Sequence, residues 1–353
     1  MAGAVKWALE ADSVTLTRKR LRLQVSRSVV IGFESIDCGR QRKIRSCTMS
    51  TGTIDLHTHT MRSDGSATPG ELIELASAKR ARAVAITDHD TVAAIVEARA
   101  MADRCGIEFV AGIELSAEYS PGTMHILGYC IDEGSSGLAE KLDVLKLARE
   151  TRNPRIASRL QSLGLDVSYG EVARLAGNEI VGRPHFARVM VQKGYASSIQ
   201  DAFDRFLKKD GAAYVEKARL SPADSIAMIH EAGGVAVLAH PYQLNLSSYE
   251  HVDELVGELA QLGLDGVEAV YSRHSAAQRT SYTDIAMRHG LLVTGGSDYH
   301  GSYKPDIDIV SGLGDLEVPY ELLEAVKARA ATRSKRPMAD EVQGAFTKSG
   351  QRF

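Results

Sequence analysis

The segment Ile54-Asp-Leu-His-Thr-His-Thr-Met-Arg-Ser-Asp-Gly-Ser66 places His57, His59 and Asp64 within eight residues, directly after a short apolar run. His57 and His59 are two apart, so on an extended strand both imidazoles project to one face. Asp64 follows on a loop beside Gly65. Two imidazoles and a carboxylate converging at a strand end are what a divalent metal site needs. The theme recurs along the chain. His89, in Thr87-Asp-His-Asp90, ends the apolar run 84–86; Glu114 follows the run 109–113; His125 precedes the run 126–129. His240-Pro241 ends the run 234–239, and Asp298 and His300 follow 291–296. Zinc or manganese takes four to six donors, so nine donors with one shared carboxylate fit three ions, each with room for water or phosphate oxygens. Imidazole and carboxylate without thiolate suit Mn²⁺, with Fe²⁺ or Zn²⁺ as alternatives. Clustered divalent ions lower the pKa of a water, to ~7 in a zinc-bound case. They also cancel charge on phosphoryl oxygens as an in-line transition state forms. The chemistry these residues suit is phosphate ester hydrolysis by a metal-activated hydroxide, without a covalent enzyme intermediate.

The elements that must position these groups follow from periodicity. Short apolar runs of strand type alternate with helical stretches from Ile54 onward. Residues 69–79 read as a helix, with Pro69 suited to a first turn and Leu72, Ile73, Leu75 and Ala76 at helical spacing. Residues 91–105 read as a second helix, with Thr91 as N-cap and Gly106 as the stop. This rhythm implies parallel strands with helices outside. The candidate ligands then gather at the C-terminal strand ends, where barrels of this kind carry their catalytic groups. The rhythm breaks between about 138 and 218, where helix-like segments (138–163, 169–176, 184–193 and 199–208) read as an insertion covering the site. The barrel resumes with a helix at 221–232, where Ser221-Pro222 forms a cap and first-turn pair. One more helix follows Leu323. The expected organisation is a basic N-terminal extension at 1–48, barrel segments at 49–137 and 219–333, the helical insertion at 138–218, and a polar, disordered tail at 334–353.

Composition sets bounds on the class. The chain has 353 residues, 44% hydrophobic and 25% charged, as in ordinary globular proteins. No run of 18 or more apolar residues occurs, so no transmembrane helix is expected. Cysteines 38, 47, 105 and 130 show no C-x-x-C spacing and read as reduced thiols of a cytoplasmic protein. Net charge is −3, but residues 1–50 carry ten Lys/Arg against four Asp/Glu, leaving −9 for the remainder. An acidic body argues against an extended nucleic-acid-binding surface. It accommodates a carboxylate-rich site that holds a small anionic substrate through metals. The first 48 residues contain none of the site motifs. They read as a start upstream of the working protein, which would begin near Met49, or else as a disordered basic arm or a targeting segment, without the apolar region that export needs.

The order His-x-His, Asp-His, His-Pro and Asp-x-His over about 53–313 resembles the PHP (polymerase and histidinol phosphatase) family, and within it the stand-alone phosphoesterases acting on nucleoside 3′,5′-bisphosphates and short RNA. The resemblance implies a distorted (β/α)7 barrel. It implies that His57, His59, Glu114 and Asp298 hold one ion, that Glu114 bridges to a second completed by His125 and His240, and that Asp64, His89 and His300 hold a third. Glu114, His240 and Asp298 are thereby the groups closest to the chemistry. For substrate, position and resemblance single out Arg183 in the insertion, Lys217 where it rejoins the barrel, and Arg273 after a strand, with His185 and His274 as secondary candidates. Such cations would hold a second, non-reacting phosphate. The expected substrate is a small phosphorylated nucleotide or a short 5′-phosphorylated RNA.

Blander readings apply elsewhere. His230, His251 and His289 fall on predicted helices and receive no role. Asp88 and Asp90 read as groups that orient an imidazole or cap a turn. Gly295-Gly296 reads as a close backbone approach to the site. Cys130, an odd number of positions from His125, turns to the other strand face. Competing functions are histidinol phosphate phosphatase, which shares the metal site but binds an amine-bearing substrate, and a PHP scaffold without turnover. Amide hydrolysis is a further alternative, but no mid-barrel bridging lysine is evident.

Overall fold

Inward and outward side chains alternate along the strands with period two, and this alternation builds the barrel. In the computed structural model, which describes residues 52–177, 181–216 and 219–333, the strands are β1 (Ile54–Asp55), β2 (Ala83–Ile86), β3 (Glu108–Ala117), β4 (Met124–Tyr129), β5 (Val235–Leu238), β6 (Gly266–Tyr271) and β7 (Leu292–Gly296). They form one seven-stranded sheet in chain order. Between β1 and β7 the seam is zipped by Leu56 N–H to Gly295 O at 3.2 Å and Asp298 N–H to His57 O at 2.8 Å. The sheet is a nearly closed α/β barrel. The expectations for residues 1–48, Lys217 and 334–353 lie outside the described residues.

Ala83 and Ala85 of β2, Leu127 and Tyr129 of β4, and Val235 and Val237 of β5 share one core cluster with Leu323 and Val326 of the last helix, α10 (Tyr320–Arg333). Their neighbours Val84 and Ile86 pack outward on α1 (Pro69–Ala78) and α2 (Ile95–Cys105). Ile113, Ile126, Leu238 and Val267 pack outward in a cluster that includes residues of α7 (Pro222–Glu231), α8 (Tyr249–Gln261) and α9 (Ala276–Arg288). The inward register of β3 and β6 carries Glu114 and Glu268 into the barrel.

Two expectations are corrected. β4 runs antiparallel to both β3 and β5. Only six residues separate β3 from β4, too few for a helical crossover but enough for a hairpin. His125 therefore stands near the start of its strand, opposite Ser116, yet at the same end of the barrel as the other donors. The helix expected from Thr91 starts at Ile95 with Ala94 as N-cap, and Thr91 Oγ1 instead accepts from Ala93 N at 3.2 Å in a turn. Gly106, at φ 67°, ends the helix as expected.

Between β4 and β5 lie α3 (Ser136–Ser162), α4 (Tyr169–Ala176), α5 (Arg183–Gln192), the short α6 (Ile199–Ala202) and a π turn at Phe203–Leu207. Ile156, Leu160, Val172, Phe186, Met190 and Leu207 give these elements a core cluster of their own. No helix among the described residues is long and apolar enough to cross a membrane.

At the end of the barrel where β5 and β6 begin, one carboxylate ties three elements. Asp265, 1% exposed, accepts from Ala236 N at 3.0 Å, His230 Nε2 at 2.9 Å, Arg329 at 3.0 Å and Arg333 at 2.6 Å. Burial alone would raise its pKa, but His230, the Ala236 amide and Arg333 outweigh that and bring it to about 2 from an ordinary 3.8. A depressed folded-state pKa contributes stability that is complete above about pH 4 and is lost as pH falls toward 2. Asp265→Asn is expected to cost roughly 1–2 kcal/mol at pH 7 after solvent screening. The deficit should shrink below pH 4, as read from denaturant melts at both pH values.

Candidate metal centre

Glu114 is the hub of the cluster. Its Oε1 lies 2.7 Å from His125 Nδ1 and 3.0 Å from His240 Nε2. Its Oε2 lies 3.3 Å from His57 Nε2, 3.1 Å from His59 Nε2 and 3.1 Å from His89 Nδ1. Asp298 Oδ1 lies 3.6 Å from His57, 3.3 Å from His59 and 3.4 Å from His300. Asp64 completes the far side, 3.3 Å from His300 Nε2 and 3.8 Å from His89 Nε2. The structure thus brings together all nine donors singled out from the sequence, contributed by six of the seven strands or the loops that follow them.

The local backbone explains the convergence. His57 and His59 lie just beyond β1, where Asp55 accepts from His57 N and Ser297 N through one oxygen and from Val310 N through the other. A Cβ on Gly296 would stand 2.4 Å from His57 N, so only glycine lets β7 approach the His-x-His segment this closely. His240 and Asp298 have φ of 24° and 57°, a conformation that costs an L-residue free energy and that aims each side chain back over the barrel. Asp88 accepts from Thr60 N, Thr60 Oγ1 and Ser63 Oγ, bracing the loop that carries Asp64. Asp90 accepts from Ser116 N at 3.0 Å. Both flanking aspartates thus support the loops around His89. Cys130 packs against the inner core cluster, away from the donors.

Sequence reasoning missed several groups. Glu268, fully buried on β6, accepts from His57 Nδ1 at 2.9 Å and from the His240 amide at 2.8 Å. That bond fixes the His57 tautomer with Nε2 bare toward the cluster. His300 Nδ1 donates to Asp298 O at 2.9 Å, with the same consequence. Lys304 Nζ and Tyr271 Oη both donate to Asp298 Oδ2, at 2.6 and 2.7 Å, leaving Oδ1 to face the imidazoles. A lone carboxylate inside the apolar run 267–271 was the available signal for Glu268. Lys304 sits in a loop whose sequence carries no such mark.

Residues that could hold metal ions fall into four overlapping groups: His59, Asp64, His89 and His300; His57, His59 and Asp298; His57, Glu114 and His240; and His89, Glu114 and His125. The donor set fits divalent cations. His57 Nε2 and His59 Nε2 face each other at 3.1 Å, which two bare imidazole nitrogens tolerate only with a cation or proton between them. His59 Nδ1 is buried without a hydrogen-bond partner. The electrostatics point the same way. Burial opposes ionisation of Glu114 and Asp298, yet His89 and His125 around the first, and Lys304 and His300 around the second, hold both carboxyls well below the usual range. Burial likewise opposes charge on His57, but Glu268, Glu114 and Asp298 raise its pKa well above normal. Burial instead lowers the pKa of His89 to about 3 and lowers that of His300, so the site combines ionised carboxylates with bare imidazoles, a set that attracts positive charge.

The donors open into a cleft of about 590 Å³ lined also by Pro184, Arg188, Phe203 and Lys208 from the segment between β4 and β5 and by Tyr303 and Lys304. Arg188 stacks on the Tyr303 ring at 4.2 Å. A narrower arm of about 190 Å³ adjoins Asp64 and His89 and is lined by Arg152 and Arg183. Arg152, 5% exposed, is held by Asn153 Oδ1, whose own Nδ2 donates to Val181 O at 2.7 Å. Arg183 donates to Leu207 O at 3.0 Å. His185, buried near the start of α5, accepts from Gly182 N through Nδ1 at 3.0 Å. The remaining candidates lie elsewhere. Arg273 forms an exposed pair with Asp306 at 2.8 Å and does not line the cleft. His274 is buried beside Tyr242, Tyr271 and Tyr282, with Nδ1 donating to Ala269 O, and burial lowers its pKa to about 4. Tyr271 takes the site-facing position at the end of β6 that the sequence suggested for its successors.

In comparisons with known proteins, the PHP domain matches residues 55–260. The chain is 34% identical over 248 residues to a 3′,5′-nucleoside bisphosphate phosphatase of Chromobacterium violaceum, covering 70% of this chain and 87% of that one. It is 37% identical over 248 residues to the 5′-3′ exoribonuclease Rnm of Escherichia coli, covering 70% and 84%. A solved structure of a candidate metal-dependent phosphoesterase of Bifidobacterium adolescentis superimposes with a TM-score of 0.70 at 32% identity, over 78% of this chain and 96% of that one.

Proposed function

The chain belongs to the PHP domain family, and we propose that it is a metal-dependent phosphoesterase that cleaves the P–O3′ bond of nucleotides bearing a 5′-phosphate: the 3′-phosphate of a nucleoside 3′,5′-bisphosphate, or the first internucleotide link of a short 5′-phosphorylated RNA. The observation that carries this reading is the pairing of a buried nine-donor cluster with an arginine-lined arm beside it. The nine donors would hold divalent ions, three in our reading with Mn²⁺ preferred, which when bound supply Lewis-acid charge for the phosphoryl group and lower the pKa of a water.

The residues of the chain divide the remaining work. Glu114 shares its two oxygens between two sets of imidazoles and so fixes their separation. Glu268 orients His57, and Asp88 braces the Asp64 loop. Arg152 and Arg183 present guanidinium groups where the non-reacting 5′-phosphate would sit. The same bond breaks in both substrates. A water oxygen joins phosphorus, the P–O3′ bond opens, and O3′ takes up a proton. The two products are a 5′-mononucleotide and either inorganic phosphate or an RNA with a new 5′-phosphate.

Arg152→Ala tests the arm directly. It is expected to lower kcat/KM on adenosine 3′,5′-bisphosphate by about ten- to a hundredfold, the range for a lost charge-assisted contact. Activity on 3′-AMP, which has no second phosphate, should barely change. Equal losses on both would remove the arm from the reading. A wild-type preference for histidinol phosphate, unaffected by the substitution, would favour the amine-substrate alternative.

A further inference from the structure

Beyond the metal cleft, a second hollow of about 810 Å³ runs along the side of the barrel end, lined by Tyr119, Tyr214, Lys209 and Arg219. It contains none of the nine donors. It adjoins the cleft, because Phe203, Lys208 and Gln243 line both, and Arg183 lines both it and the arginine arm. Its lining carries four cations, Arg183, Lys208, Lys209 and Arg219, against two carboxylates, Glu118 and Glu216. Arg219 pairs with Glu216 at 2.8 Å and Lys208 with Asp204 at 3.3 Å, both in exposed positions. Lys209 reaches Ser120 Oγ at 3.2 Å. A locally positive hollow with two partly buried tyrosines contrasts with the net −9 of residues 51–353.

We infer that this hollow receives the nucleotides on the 3′ side of the scissile link when the substrate is a single-stranded oligoribonucleotide, and so sets the preference for RNA over mononucleotide. The inference rests on the function proposed above. It follows from the geometry of the bond. With the 5′-phosphate in the arginine arm and the 3′-linked phosphorus at the donors, a mononucleotide ends at that phosphorus. An oligonucleotide continues from it, and past Phe203 and Gln243 it would enter this hollow. A groove that pairs aromatic faces with flexible cations is the general means of holding single-stranded nucleic acid without reading its sequence, by base stacking and phosphate neutralisation.

The test compares full-length Mn²⁺-loaded protein on adenosine 3′,5′-bisphosphate and on a 5′-phosphorylated pentaribonucleotide, for wild type, Lys209→Glu, Tyr119→Ala and Tyr119→Phe. Lys209 is an exposed residue, so its variant folds on any account. Lys209→Glu and Tyr119→Ala are expected to lose about ten- to a hundredfold in kcat/KM on the pentaribonucleotide while staying within about twofold on the bisphosphate. Tyr119→Phe, which keeps the ring, should retain wild-type values on both. Raising salt should narrow the Lys209→Glu deficit, because the lost contact is to phosphate. Unchanged pentaribonucleotide activity in both variants, or equal losses on the two substrates, would overturn the assignment. Wild-type protein that cleaves the bisphosphate but not the pentaribonucleotide would overturn the groove and leave the phosphatase reading standing. Protein that cleaves neither would overturn both.

Discussion

Replacing Glu114 by glutamine is expected to reduce kcat/KM on adenosine 3′,5′-bisphosphate by at least about a thousandfold, with the fold intact. Both carboxylate oxygens face imidazole nitrogens, two at Oε1 and three at Oε2, all within 3.3 Å. An amide offers one acceptor oxygen and turns an N–H pair toward the other set, so it cannot serve both. It also removes the buried negative charge that offsets cations on either side. The same substitution should lower the metal content of the purified protein by about one equivalent or more, measured by elemental analysis. It should lower the melting temperature of the chelator-treated protein at neutral pH, since the imidazoles that hold the Glu114 carboxyl below its usual range lose their charged partner. Activity retained within tenfold would show that Glu114 is not the shared donor.

The second large effect is expected at Glu268. It does not line the metal cleft, yet one oxygen fixes the His57 tautomer and the other holds the backbone of His240. Glutamine can accept only one of those two bonds and must point its own N–H groups at the other donor. Losses of about 10–100-fold in metal affinity or activity are typical when such an orienting partner is removed. Glu268→Gln should show them as weaker Mn²⁺ binding in a titration, with unchanged far-UV circular dichroism. Full affinity with reduced activity would move Glu268 from positioning the donors to some later role.

The contrast between Glu114 and Glu268 shows what the sequence could reveal. Donors to metal are rare residue types at strand ends, so His57, His59, His89, Glu114, His125, His240, Asp298 and His300 stood out one after another. Glu268 does its work from inside a buried strand, and a single carboxylate there reads only as an oddity until register places it under His57. The reversal of β4 was legible in principle from the short link after β3, but the dominant βα rhythm suggested parallel strands throughout. Most of the helices between β4 and β5 were visible from periodicity, although the stretch after Ala202 widens into a π turn that no periodic pattern distinguishes. Arg152 lies within the long α3, among several other arginines of similar spacing. Only the fold shows that it turns into the arm beside Asp64 while Arg273 pairs outward with Asp306.

The most direct measurement is phosphate release from adenosine 3′,5′-bisphosphate by the chain stripped of metal with chelator, before and after Mn²⁺ is restored, with 5′-AMP as the control substrate. Stripped protein is expected to release no phosphate; once Mn²⁺ is present, one phosphate per bisphosphate should be released rapidly with 5′-AMP as the product, and little from 5′-AMP itself. Equal release from both substrates, or release unaffected by chelator, would contradict the proposed function.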